Sequence, residues 1–375
     1  MPFKVLVEGD PHIKISNTIE TDLMTAAIQK ELSENKYDFT VIAGDVLDRF
    51  ESIHIDPLTR AIAHINTITK LSQHTYLLIG NHDRANNNVF LTDKHPFTAL
   101  KHWKKLTVVD TVLVEEITSM DGETASFVFA PYVYVGRLRE ALQTVKMDYP
   151  ISSLKHQEEH WNSLRSVVAV FAHQEFHGAK IGIKKSTEGD HWPSDAPMCI
   201  SGHIHDYCRL QKNMLYVGTP IQHGVTDISE KTVSAFTFTR QEENKEWITE
   251  ERRINLKVPR KIHITVTVEE LLAFEIPDNA SFVRLDIEID PIEWRRLIKN
   301  PHVVKLIKAN IQIKPIDVRK KIDKAEIKRN NFKMCYEKRL GNSIRKEEEQ
   351  VQKVFAELFG PITPLKKVKA KIVVK

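Results

Sequence analysis

The chain has 375 residues, 41% of them hydrophobic and 28% charged, which is enough apolar material for more than one sizeable core and excludes a disordered or fibrous protein. No apolar run approaches the roughly 18 residues of a membrane helix, and the N-terminus lacks the basic, apolar, small-residue order of a secretory leader, so no membrane association is expected. The net charge of +4 conceals a partition: residues 256–375 carry 27 Lys and Arg against 16 Asp and Glu, a balance of +11, while the rest carries 27 against 34, a balance of −7.

Lys4 to Glu8 alternates as a first strand and runs into Gly9-Asp10-Pro11-His12. An Asp and a His two apart in an extended segment point to one side and can both reach one metal ion. Residues 18 to 34 read as a helix with Leu23, Ala27, Ile28 and Leu32 on one face, and Phe39 to Ala43 returns as a strand ending in Gly44-Asp45-Val46-Leu47-Asp48-Arg49. A helix over roughly 57 to 73 leads to a buried strand, Thr75 to Ile79, and then to Gly80-Asn81-His82-Asp83. This strand–turn–helix repetition predicts an α/β sheet whose ligand-type residues gather at one edge, because parallel strands present their carboxyl ends on the same side.

Val108-Val109, Val112 to Val114, Phe127 to Phe129 and Tyr132 to Val135 read as further strands, and 137 to 165 as helix and loop. Val167 to Ala172 delivers His173, and Met198 to Ser201 delivers Gly202-His203-Ile204-His205-Asp206, an H-x-H that places two imidazoles on one side. Between them, 177 to 195 is a polar loop with Lys184 and Lys185, either a substrate-contacting loop or an ordinary surface loop. Leu215 to Val217, the turn Gly218-Thr219-Pro220 and a strand over Val233 to Thr239 follow.

The first 255 residues read as one domain. Residues 256–318 form a small α/β module, with strands at Lys261 to Val268, Phe282 to Ile289 and Ile311 to Ile316 and a helical piece from Pro291 to Lys299. In 319–375, a basic stretch precedes a helix over 343–359, opened by Gly341-Asn342-Ser343 and closed by Gly360-Pro361. Its face of Ile344, Val351, Val354, Phe355, Leu358 and Phe359 is suited to its own core or to a partner, and a Lys-rich tail follows. The three cysteines, Cys199, Cys208 and Cys335, are too few and scattered for a disulfide framework, so a reducing intracellular compartment is expected: a bacterial or infected cell's cytoplasm, or a nucleus.

Asp10, His12, Asp45, Asn81, His173, His203 and His205 make seven nitrogen and oxygen donors without a thiolate. Such a set fits two divalent ions that share one carboxylate, with Asp45 as the bridge. Mixed imidazole and carboxylate donors point to manganese first, then iron or zinc; magnesium alone favours oxygen. His82, beside Asn81, is placed to protonate a leaving oxygen, with Asp48 to orient it.

The series Asp10-Pro-His12, Gly44-Asp45-Val-Leu-Asp48-Arg49, Gly80-Asn81-His82-Asp83, His173 and Gly202-His203-Ile-His205 resembles the calcineurin-like metallophosphoesterases over roughly residues 4 to 240. The resemblance implies a four-layer α/β/β/α sandwich with a two-metal site. Asp10, His12, Asp45 and His205 would hold one ion, and Asp45, Asn81, His173 and His203 the other. His82, paired with Asp48, would be the general acid. Within the superfamily the chain looks most like the SbcD-type DNA repair and recombination nucleases, on Asp83 and on Gly218-Thr219-Pro220 after the double-His motif. Phe50 stands where phosphatases carry glycine, and the C-terminal third is similar in layout alone.

That likeness implies a DNA exonuclease and endonuclease, homodimeric and assembled with an SbcC-like SMC-type ATPase through the C-terminal helix. The 256–318 module would cap the site and contact DNA; Arg49, Lys184 and Lys185 are the candidate substrate contacts. The competing readings are a phosphatase or nucleotide phosphodiesterase with a small substrate, and a non-catalytic scaffold.

Overall fold

The computed structural model describes residues 2–49, 52–148, 162–182, 184–225, 227, 230–243, 246–278 and 280–317. They divide into two compact units, one of residues up to His263 together with Ile276–Val283, the other of Ile264–Glu275 and the chain from Arg284.

In the first unit, side-chain alternation along the strands builds three cores. Phe3, Val5 and Val7 face one way from the strand Phe3–Glu8 while Leu6 faces the other; Phe39 and Val41 oppose Ile42 in the same manner. The first set of faces belongs to a six-stranded sheet ordered Trp247–Asn255, Thr232–Arg240, Phe3–Glu8, Phe39–Ile42, Thr75–Leu78, Leu106–Val109. Its last four strands are parallel and its first two antiparallel. A second six-stranded sheet is ordered Cys208–Gln211, Met214–Tyr216, Met198–Gly202, Ala169–His173, Thr124–Ala130, Leu113–Thr118, parallel except for its two edges.

The sheets meet through an aromatic layer, with Phe39 and Phe127 centroids 5.0 Å apart and Phe129 and Phe171 stacked at 5.5 Å. Outside the first sheet, the helices Thr18–Glu34 and Ile55–Leu71 bury Met24, Ile28 and Leu32 with Ala61, Ile65 and Ile68. Outside the second, the helix Leu138–Gln143 buries Leu138, Ala141 and Leu142 against Val128, Val170 and Tyr216. The expected α/β sandwich is thus present. Leu23, expected on the buried face of the first helix, is 43% exposed, and Met24 is buried in its place.

One polar network sits among these apolar layers. Glu8, buried at its strand's end, accepts from His64 Nε2 at 3.0 and 2.9 Å, and His64 Nδ1 meets the Thr25 hydroxyl at 2.8 Å. Both covering helices are therefore pinned to the strand that delivers Asp10.

Tyr132–Val135, predicted as a strand, is irregular: Pro131 lacks the N–H a ladder needs, and Tyr132 N–H turns to the Ile79 carbonyl at 2.8 Å. Trp247–Asn255 is a full nine-residue edge strand that hydrophobic patterning does not reveal, because Glu250, Glu251, Arg252 and Arg253 occupy it. The 177–195 loop contains a short hairpin, Lys180-Ile181 against Lys184-Lys185.

In the second unit, Arg284 to Ile289 pairs in parallel with Gln312–Asp317, and the helix Pro301–Lys308 buries Val303 and Leu306. Thr267 and Glu270 form a reciprocal cap, while Asp290 and Asn300 cap helices that begin with proline. The predicted 343–359 helix, the basic stretch and the Lys-rich tail lie outside the described residues. Among the described residues no helix is long and apolar enough to cross a membrane.

Candidate metal centre

All the predicted donors lie at or just beyond carboxyl ends of central parallel strands. Asp10 follows Glu8 by two, Asp45 follows Ile42 by three and Asn81 follows Leu78 by three; His173 ends its strand, and His203 and His205 follow Gly202. Three of them adopt the left-handed backbone that non-glycine residues avoid, with φ of 44° at His12, 49° at Asp45 and 85° at His203. Such strain costs about 1–3 kcal/mol per residue and survives where its surroundings enforce it. Close packing is part of that enforcement. A Cβ on Gly80 would lie 2.1 Å from the Asp45 carboxylate, and one on Gly202 would lie 2.6 Å from both Asp10 Oδ1 and the Ala43 carbonyl.

Asp83 ties two of these turns together. Its buried carboxylate accepts from the N–H groups of Gly80 at 3.1 Å, Val46 at 3.2 Å and Leu47 at 2.9 Å. Burial, reinforced by the Asp45 charge, raises its pKa to about 6 even against these hydrogen bonds.

Around Asp45 the donors form two groups that share it. On one side are Asp45, His173 and His203; on the other, Asp45, His12 and His82, the donor atoms within each group lying within 4.8 Å of one another. The first group is closely interconnected. His173 Nδ1 donates to the Ala43 carbonyl at 2.7 Å, which aims Nε2 at Asn81 Oδ1, 3.1 Å away, and at Asp45 Oδ2, 3.3 Å away. His203 Nδ1 meets the same Asn81 oxygen at 2.8 Å, and its ring stacks on Tyr132 at 5.8 Å.

The second group is held differently. His12 Nε2 is 3.7 Å from Asp45 Oδ2, and both ring nitrogens are buried without a hydrogen-bond partner among the described residues. The His12 ring is instead met edge-on by His82 and His205 at 4.8 Å and by His223 at 4.9 Å. Asp10 accepts from His203 N–H at 2.9 Å and approaches His173 Nδ1 at 3.3 Å. His82 donates its backbone N–H to Asp45 at 2.7 Å and Nδ1–H to the Asp48 carbonyl oxygen at 2.6 Å. Asp48 therefore meets His82 through its main chain, while its carboxylate pairs with Lys14 Nζ at 2.8 Å.

The charges follow from burial and proximity. Burial, helped by Asp45 and opposed by His173, raises Asp10 to about 7. At His173 burial works downward, yet the Asp45 and Asp10 carboxylates overcome it and raise the pKa to about 9. Against the cost of its own burial, Asp45 is held well below the usual carboxylate range by His173 and His12. Burial and the neighbouring imidazoles push His12 and His223 well below the usual range, in spite of Asp45 beside the first.

The residues present fit divalent cations. A buried imidazole with two orphaned nitrogens, carboxylates crowded in low dielectric and an all nitrogen-and-oxygen donor set are what metal coordination resolves. A helix–sheet–sheet–helix sandwich carrying such a cluster at its strand ends defines a metal-dependent phosphoesterase.

Residues 3–207 match the calcineurin-like phosphoesterase family, more than half of the chain, and the chain belongs to that family. It is 40% identical over 266 residues to "Putative phosphoesterase 078R" of Invertebrate iridescent virus 3, covering 71% of this chain and 70% of that protein. It is 33% identical over 276 residues to "Putative phosphoesterase 244L" of Invertebrate iridescent virus 6, covering 74% and 90%.

The three residues expected to contact substrate are exposed. Exposed Arg49 lines a cavity of about 260 Å³ beside Asp48, with Ile13, Lys14, Leu47 and Ile53. Lys184 and Lys185 are exposed on the short hairpin, adjoining Ser186, whose hydroxyl bonds Glu175; Glu175 in turn faces His203 at 3.8 Å. Two neighbours of the cluster, Glu175 and His223, escape the sequence argument. His223 had a usable signal, since it follows yet another strand and glycine turn, Met214–Tyr216 and Gly218-Thr219-Pro220.

Proposed function

We propose that the chain is a manganese-dependent nuclease that hydrolyses phosphodiester bonds at DNA ends, as a homodimer working with an SMC-type ATPase in repair or recombination. The observation that carries the choice of DNA is the charge partition: the donor cluster belongs to the acidic part of the chain, and residues 256–375 hold a balance of +11. Clustered Lys and Arg bind a phosphate backbone with the release of counterions.

Bound at the cluster, two divalent ions would supply Lewis acidity toward the phosphoryl group and an ionised water at neutral pH. Asp45 is shared by both positions; Asn81, His173 and His203 would complete one, and Asp10, His12 and His205 the other. His82, fixed through Nδ1–H on the Asp48 carbonyl, directs Nε2 as the proton donor to the leaving oxygen. Lys14 neutralises the Asp48 carboxylate and, with Arg49, favours an anionic substrate beside it.

The test is cleavage of end-labelled linear duplex DNA by the full chain with Mn²⁺, beside an aryl phosphodiester and an Asp45→Ala control. Metal-dependent shortening of the duplex that the control lacks is the expected result. Aryl ester turnover with intact DNA would instead favour a small substrate, for which the 260 Å³ cavity at Arg49 gives room.

A further inference from the structure

The turn that carries Asp10 and His12 is the least conventionally supported part of the centre. It lies beyond the ladder of its strand, includes Pro11 with no N–H, and holds His12 at φ 44°. Besides the His203 N–H held by the Asp10 carboxylate, three hydrogen bonds fix its main chain: His12 N–H to the Asp45 carbonyl at 3.0 Å, Asn17 Nδ2 to the His12 carbonyl at 3.0 Å, and His223 Nε2 to the Asp10 carbonyl at 3.1 Å. The last comes from a residue more than 200 positions away, on a loop that is itself clamped. The N–H groups of His223 and Gly224 both donate to the Asp227 carboxylate, at 2.8 and 3.1 Å.

The His223 ring also stands edge-on to His12 at 4.9 Å and to His205 at 5.3 Å. A metal-binding imidazole is ordinarily oriented by a hydrogen bond from its second nitrogen, and His12 has none among the described residues. We infer that His223 is the positioning residue for the ion position of Asp10, His12 and His205. Its Nε2–H fixes the strained turn through the Asp10 carbonyl, and its ring walls in His12. Because a carbonyl can only accept, Nε2 carries the proton, and Nδ1 is left as a buried lone pair with no hydrogen-bond partner among the described residues. His223 itself meets His12, His205 and the Asp10 carbonyl, while the other ion position is reached from this turn only through the Asp10 carboxylate, which accepts from His203 N–H, so the effect of His223 falls chiefly on one of the two ions.

The inference rests on the two-ion reading of the site, and its test reads metal binding directly. Metal-stripped full-length protein is titrated calorimetrically with Mn²⁺ as wild type, His223→Leu, His223→Gln and His223→Asn, with thermal unfolding in chelator to check folding. His223→Leu is expected to bind one ion as wild type does and the other about 10- to 100-fold more weakly, the usual cost of losing a residue that orients a ligand. Gln, whose amide nitrogen reaches the place of Nε2, restores most of that affinity; Asn, whose nitrogen falls at the place of Nδ1, does not. If the leucine variant does not fold, Asn against Gln makes the same comparison. Two wild-type affinities in His223→Leu, an equal weakening of both ions, or a Gln variant no better than Asn would each overturn the role of His223. A wild-type chain that binds no Mn²⁺ overturns the two-ion reading along with it.

Discussion

The two halves of the centre share Asp45 but are held by opposite means. On the side of Asn81, every imidazole has a polar partner: His173 donates to the Ala43 carbonyl, and both it and His203 converge on Asn81 Oδ1. On the side of Asp10, His12 has no hydrogen-bond partner among the described residues, only the Asp45 carboxylate at 3.7 Å, and is enclosed by other imidazoles. One half is preorganised by hydrogen bonds that exist without a cation; the other leaves buried donor atoms that a cation would satisfy. The two ions are therefore expected to bind with unequal affinity, the Asn81 side first.

The largest effect should come from the residue that belongs to both halves. Asp45→Ala is expected to abolish turnover of an aryl phosphodiester and to remove high-affinity binding at both positions, measured by calorimetric titration with Mn²⁺. Loss of one ion alone would mean that the halves are independent.

His82 comes next. Its Nδ1–H is committed to the Asp48 carbonyl, so His82→Ala should lower kcat by about 10²- to 10⁴-fold, as expected for a general acid, while two ions still bind. A drop in metal stoichiometry would make it a ligand of the His12 side instead.

The third effect is on folding. His64→Ala leaves the Glu8 carboxylate buried without its imidazole, two residues before Asp10, and should cost about 3 kcal/mol in denaturant unfolding. A change under 1 kcal/mol would show that the network contributes little to that strand end.

The smallest concerns pH. His173 and Asp10 have folded pKa values raised to about 9 and about 7, so as a pair they retain protons that the unfolded chain has released by neutral pH. Their stabilisation is complete at low pH and is lost as pH rises through those values; Asp45 is ionised in both states and adds no slope here. Metal-stripped protein should lose stability between pH 7 and pH 9, and Mn²⁺ should remove that loss by taking the protons' place. A flat profile without metal would contradict the assigned charges.

How far the centre could be read in the sequence follows from what each residue depends on. Asp10, His12, Asp45, Asn81, His173, His203 and His205 were legible because each lies just beyond a short apolar strand, and parallel strands bring their carboxyl ends together whatever the rest of the chain does. Asp48 was legible as a residue but not in its manner of acting, since nothing in a sequence tells a carbonyl contact from a carboxylate one. His223 joins the cluster through a turn whose direction depends on Asp227 and on the close approach of Gly9 to Gly218, where a Cβ on Gly9 would lie 1.7 Å from the Gly218 carbonyl oxygen. The strand Trp247–Asn255 was hidden because an edge strand with charges on it has no apolar periodicity to detect.

The most direct test of the whole account is a calorimetric titration of metal-stripped wild-type protein with Mn²⁺ at pH 7.5. Two ions per chain are expected to bind in two resolved steps, with the weaker step lost in His12→Ala and the stronger one retained. A single ion per chain, or loss of the stronger step in His12→Ala, would contradict a centre built from two unequal halves around Asp45.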